Sequence, residues 1–154
     1  MAPVSIPVPL DELRAEIERL GRVAYFLTVG ADGRPHCVAQ TVEWSGDRLV
    51  VAPGNTTVRN AAERPLASLL WPAPGPGEYS LIVYATVTAT RALGDGNNSV
   101  TIEPTRAVFH RPAADGGHDC VQVYSSGESR DVVDEQGVES FPASDPPSNW
   151  AGED

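Results

Sequence analysis

The chain has 154 residues, 41% of them hydrophobic, which suffices for one core and falls short of two ordinary domains. Its cations are eleven arginines with no lysine, against 21 acids, and the net charge of −10 is unevenly spread: residues 126–154 carry eight acids and one arginine, leaving −3 for the body. No basic stripe for nucleic acid is present, and the N-terminus MAPVSIPVPL has neither a basic leader nor a long apolar run, so a cytosolic protein with no membrane span is expected.

Asp11 is placed to cap a helix in which Leu13, Ile17 and Leu20 recur at spacings of four and three, and Gly21 stops it. Arg22 to Val29 is β-branched and aromatic, and Asp32-Gly33 signals a tight hairpin into a second strand, His36 to Trp44. After the turn Ser45-Gly46-Asp47, a third strand runs from Arg48 to Ala52. Pro53-Gly54 breaks the sheet, and Thr56 or Thr57 can cap a short helix that ends near Glu63, before Arg64-Pro65.

Leu66 to Trp71 is a fourth strand, and the breaker-rich Pro72 to Gly77 must be a surface loop. A long strand from Tyr79 to about Leu93 turns at residues 94–98 and returns antiparallel from Val100 to about His110, the pair bending through a bulge. Six antiparallel strands with two helices, one in front and one after the third strand, imply a mainly β, closed or partly closed barrel. Such a barrel is filled by its own side chains, so a ligand must sit outside it. From about Ser125 the alternation lapses into Gly, Ser, Asp and Pro, so residues 1–124 are expected to form the domain and 125–154 a flexible acidic tail, with Phe141 and Trp150 as isolated aromatics.

The strongest chemical feature is Asn55-Thr56-Thr57-Val58-Arg59-Asn60, where hydroxyls, helix-start amides and one guanidinium converge. Unpaired N–H groups and the helix dipole favour an anion there, while an ordinary cap beside a surface arginine is the bland alternative. Cys37, Val38, Ala39, Gln40 and Thr41 are small enough to admit a flat ring against the strand backbone, though alternation equally allows plain packing. His36, His110, His118, Cys37 and Cys120 match no zinc spacing, and the two cysteines are expected to be free thiols, so no metal is assigned. There is no nucleophile elbow, no phosphate-binding loop and no dinucleotide fingerprint.

The order of helix, Val23 to Val29, Asp32-Gly33-Arg34-Pro35-His36, Thr57-Val58-Arg59-Asn60, Arg64-Pro65 and Ser68-Leu69-Leu70-Trp71 resembles the pyridoxamine 5′-phosphate oxidase-like FMN-binding split-barrel proteins, over roughly residues 11–124. Tyr79 to Val83, Val108 to Pro112 and His118-Asp119-Cys120 resemble a short, uncharacterised actinobacterial branch of them. The resemblance implies a homodimer with cofactors in clefts between subunits, the ring along Cys37, Val38, Ala39, Gln40 and Thr41. It places the cofactor phosphate at Thr56, Thr57, Arg59 and Asn60, within the cluster that Asn55 opens. Two positions depart from the pattern: Thr57 stands where a lysine is common, and Val83-Tyr84-Ala85 puts a large ring where a small or acidic residue is usual. The implied function is an FMN- or deazaflavin-dependent oxidoreductase acting on a small conjugated or aromatic acceptor. The alternatives are a non-catalytic flavin-binding or sensing module and a barrel with an empty cleft.

Overall fold

A computed structural model describes residues 3–93 and 96–113. Its elements are β1 (Ser5–Val8), a single 3-10 turn (Leu10–Glu12), α1 (Leu13–Leu20), β2 (Val23–Val29), β3 (Pro35–Thr41), β4 (Glu43–Ser45), β5 (Arg48–Val51), α2 (Asn55–Glu63), β6 (Leu66–Trp71), β7 (Ser80–Arg91) and β8 (Ser99–His110). All described pairings are antiparallel, in the order β3-β2-β6-β7-β8-β5-β4, and β1 adds to β8 beside β5. The two ends of this sheet, β3 and β4, are separated in sequence by Val42 alone. Consecutive Cα atoms lie only about 3.8 Å apart, so the sheet has to curl until its ends meet. They meet without pairing, which leaves a split barrel.

Alternation sorts the residues of each strand. Ala24, Phe26 and Thr28 of β2, Ala67, Leu69 and Trp71 of β6, and Leu81, Val83 and Ala85 of β7 turn inward and are buried. They meet Leu49, Val51, Val100 and Ile102 from the far wall. Leu13 and Ile17 of α1 close one part of this core, and Val58 and Ala61 of α2 another. The Trp71 indole N–H donates to the Gly21 carbonyl at 2.9 Å, pinning the helix exit, where Gly21 takes φ 104°, to the end of β6.

All six expected strands are present, with differences that have physical causes. The second breaks at Val42 into β3 and β4, because the chain turns a corner there from one sheet end to the other. An additional strand, β1, forms although Pro7 and Pro9 argue against it: Pro7 sits opposite Val108 on a strand with a single neighbour, where a missing N–H is tolerated. The expected bulge appears in β7·β8, at Tyr84/Ala85 and again at Val87/Ala89. Neither helix is capped as expected. Asp11 lies inside the 3-10 turn and Glu12 precedes α1, while Gly54 precedes α2 in extended conformation; neither helix start receives a side-chain cap bond. The compact unit ends at Arg111, and the expected boundary near residue 124 and the acidic tail lie outside the described residues. No helix among the described residues is long and apolar enough to cross a membrane.

Phe26 is 0% exposed and belongs to the core cluster, whereas Leu93 is 52% exposed just beyond β7. Phe26→Ala is therefore expected to destabilise the fold by about 3–5 kcal/mol. Leu93→Ala should stay within about 0.5 kcal/mol, both read from urea unfolding.

Candidate functional site

Helix α2 is amphipathic with Thr57, Val58, Asn60 and Ala61 turned toward the sheet and Asn55, Thr56 and Arg59 exposed. Val58 and Ala61 set this rotation, because they fill the core under β2 and β7. The hydroxyl of Thr57, 2% exposed, contacts His36 Nε2 at 3.0 Å, and Asn60 donates from Nδ2 to the Thr28 hydroxyl at 3.3 Å. Thr28 and His36 are themselves directly paired across β2 and β3. The result is a four-residue polar seam, Thr28–Asn60 beside His36–Thr57, that fixes the helix to the two strands and leaves those side chains occupied. Arg64 extends the attachment, donating from Nε to the Val29 carbonyl at 2.7 Å.

What remains open at the helix start is backbone and one cation. The N–H groups of Asn55, Thr56 and Thr57 have no acceptor within the helix, whose first bond runs from Val58 N–H to Gly54 at 3.1 Å. No acid occupies the first turn. Arg59 is exposed and forms no ion pair or hydrogen bond among the described residues. The uncapped start, with N–H groups, helix dipole and guanidinium together, is the arrangement that attracts an anion. An ordinary side-chain cap, the alternative open from the sequence, is not what forms here.

Strand β3 is an end strand whose residues alternate between two faces. Cys37, Ala39 and Thr41 are exposed on the outer face; Val38 packs against the core, and Gln40, half-buried, shares its inner side. Cys37 is a free thiol, and Cys120 lies outside the described residues. The His36–Thr57 contact joins the start of β3 to the first turn of α2, so the expected ring strand and the expected phosphate helix adjoin. Of the ten residues singled out from sequence, Cys37, Ala39, Thr41, Asn55, Thr56 and Arg59 are exposed, and Val38, Gln40, Thr57 and Asn60 are turned inward.

The outer face of the neighbouring strands is unusually apolar. Val23, Tyr25 and Val29 of β2, Leu66 of β6 and Tyr84 of β7 are all exposed, Val23 by 62% and Leu66 by 72%. Cross-strand register places Tyr25 beside Ala39 and Leu70, and Leu27 beside Cys37 and Ser68, so they form one continuous surface with the open side of β3. A separate open cleft of about 450 Å³ lies between α1 and the β4–β5 turn, lined by Asp11, Arg14, Trp44 and Asp47 among others. It includes none of the ten residues, and Arg14 already covers the Trp44 ring at 4.3 Å. Among the described residues no group of His, Cys, Asp or Glu could hold a metal ion.

One residue missed in the sequence positions the helix start. Asn98, 2% exposed, accepts from the Leu93 N–H at 3.1 Å and donates to the Pro53 carbonyl at 3.1 Å and to Asn55 Oδ1 at 2.8 Å. It thereby clamps the loop before α2 to the β7–β8 hairpin, a long-range role that no local pattern signals. Asn98→Ala should destabilise the protein by about 1–3 kcal/mol, because buried partners lose their bonds. Hydrogen exchange should speed up at the Asn55, Thr56 and Thr57 amides more than in β6.

No family model matches the sequence. Two uncharacterised proteins, of Mycobacterium bovis and Mycobacterium tuberculosis, are each 35% identical over 117 residues, covering 64% of this chain and 82% of theirs. Among solved structures, a candidate pyridoxamine 5′-phosphate oxidase of Listeria innocua superposes with a TM-score of 0.54 at 16% identity, covering 65% of this chain and 96% of that one. An FMN-binding protein of Syntrophomonas wolfei gives 0.54 at 14% identity, with 68% and 87% covered. A FAD-binding protein of Mesorhizobium loti gives 0.51 at 13% identity, with 70% and 97% covered. At these identities the structural likeness is one of fold.

Proposed function

We propose that this chain, which belongs to one family with the two mycobacterial proteins and shares the fold of the pyridoxamine 5′-phosphate oxidase-like split barrels, is a homodimeric flavin-type oxidoreductase. FMN, or a deazaflavin in its place, is held at the junction of β3 and α2. The observation that carries this reading is the uncapped α2 start with Arg59 facing no carboxylate among the described residues, adjoining the open face of β3 at Cys37, Ala39 and Thr41. The FMN- and FAD-binding neighbours of the same fold support a flavin-type group.

Fitting the group to the residues present revises the donor set. The phosphate is bound by the Asn55, Thr56 and Thr57 amides, the Thr56 hydroxyl and Arg59. Thr57 and Asn60 contribute through the polar seam that holds the helix in place. Cys37, Ala39 and Thr41 offer the ring a flat wall of small side chains, and Val38 and Gln40 secure that strand from within. Bound there, the flavin supplies hydride transfer to a small conjugated or aromatic acceptor. The protein's part is to fix the ring, exclude water and limit which acceptor stacks on it.

The second subunit is argued from area and polarity. Val23, Tyr25, Val29 and Leu66 are exposed on one continuous face of β2 and β6 beside β3, and a second copy of the chain covers such a face with no charge opposite those four residues. That copy also walls the open side of β3. Leu66→Glu should convert dimer to monomer at micromolar concentration in analytical ultracentrifugation, with the circular dichroism spectrum retained.

Titration with FMN and with a deazaflavin, followed by absorbance and calorimetry, tests the cofactor. Wild-type protein should bind one of them, and Arg59→Ala should weaken that binding about 10- to 100-fold through loss of a charge-assisted contact. Binding of neither cofactor by a well-folded dimer would overturn the proposal. Bound cofactor that no acceptor reoxidises would leave a binding module instead of an enzyme.

A further inference from the structure

We propose that Tyr84 and Arg106 together anchor a carboxylate-bearing small molecule in the cleft between two copies, so that the acceptor is an acid; this rests on the dimeric flavin site proposed above.

The argument begins with register. Cys37 pairs with Leu27, Leu27 with Ser68, Ser68 with Tyr84 and Tyr84 with Arg106, so these residues form one row across the outer face of β3, β2, β6, β7 and β8. At strand spacings of about 4.8 Å the row is roughly 19 Å long, with the proposed ring strand at one end and Arg106 at the other. The Arg106 guanidinium lies over the Tyr84 ring, 5.0 Å from its centroid, and both residues are exposed. Thr105, the bulged residue, donates to the Tyr84 carbonyl at 3.1 Å and so holds the two in this relation.

Arg106 is unlike its fellows. Apart from Arg59 and Arg91, every other described arginine is held by a carboxylate or by a backbone carbonyl. Among the described residues Arg106 meets only a π-face, which leaves the edge of its fork of N–H donors without a partner there. The carboxylate in register on this side, Glu103 opposite Thr86, faces Arg48 at 3.7 Å. Covering the face with a second copy removes water from a guanidinium without giving it a counter-charge, an arrangement that is strongly unfavourable unless an anion enters. β6 lies midway along this row, so a two-fold axis along it would set the Arg106 end of one copy across from the Cys37 end of the other. One guanidinium matches a singly charged carboxylate bidentately, whereas a dianionic phosphate already has its place at α2.

Benzoate and its neutral isostere benzamide are the probes. Their binding to wild-type dimer, with and without saturating FMN, is followed by ligand-observed NMR and, where flavin is bound, by its absorbance. Benzoate should bind at least about tenfold more tightly than benzamide, since it gains a charge-assisted pair. Arg106→Gln should erase that preference while leaving benzamide affinity, FMN affinity and the dimer unchanged; Arg106→Lys should restore part of it, and Tyr84→Leu should weaken benzoate alone. Equal affinities in the wild type, an Arg106→Gln variant that keeps the preference, or a dimer in which Arg106 pairs with Glu103 across the interface would overturn the proposal. Loss of FMN binding in the wild type with the benzoate preference intact would instead count against the cofactor reading and leave this anchor standing.

Discussion

The one-residue link at Val42 governs what this molecule can do. It joins the two end strands of the sheet, so β3 and β4 are forced together and the sheet must curl around a core too narrow for anything but side chains. Phe26, Leu49, Leu69, Trp71, Leu81 and Ile102 are all buried in it. With the described core taken up by side chains, the cofactor site we propose lies on the outside of β3 and at the start of the helix that follows β5. The same closure turns the outer faces of β2, β6 and β7 into a single surface, where Val23, Tyr25, Leu66 and Tyr84 remain exposed.

Helix α2 works at the meeting point of these constraints. Its inward face is half apolar, through Val58 and Ala61, and half polar, through Thr57 and Asn60, whose partners Thr28 and His36 belong to the two strands that form the site. The polar half fixes direction: an apolar contact alone would let the helix slide or rotate, whereas two side-chain hydrogen bonds define one position. With its first turn held and Asn98 clamping the loop before it, the unbonded amides point the same way without a side-chain cap to fill them. A side-chain cap would add stability here, and its absence at a rigidly held position is the feature on which the proposed phosphate site rests.

Much of this was legible in the residues themselves. The alternation Ala24-Phe26-Thr28 against Val23-Tyr25-Val29 shows which face of β2 is buried, and Asp32-Gly33 marks the hairpin that follows. The start of α2 is visible in the sequence as a cluster of hydroxyls, helix-start amides and one guanidinium, and the helical period adds the direction of each side chain. Val58 and Ala61, three apart, already define the inward face of that helix, and a period of 3.6 then carries Thr57 and Asn60 inward with them while Arg59 points away. β1 was hidden by its prolines, and the role of Asn98 could not be read because its partners, Pro53 and Asn55, are more than forty positions distant.

The arginine-only composition sharpens the picture of the outer surface. A flexible, strongly hydrated ammonium group on an apolar sheet face reaches for water, whereas a planar guanidinium can lie on an aromatic ring and keep its donor edge aimed sideways. Arg14 on Trp44, Arg111 on Tyr79 and Arg106 on Tyr84 all adopt that arrangement, but the first two also donate to a carbonyl, of Gly46 and Gly77. In those two the ring and the carbonyl together satisfy the cation, and the residue serves the fold. At Tyr84 no second partner stands among the described residues, and the bulge at Thr105 maintains the geometry. A structural role explains the first two pairs in full and leaves the third half-made, which is the reason to look for its complement outside the chain.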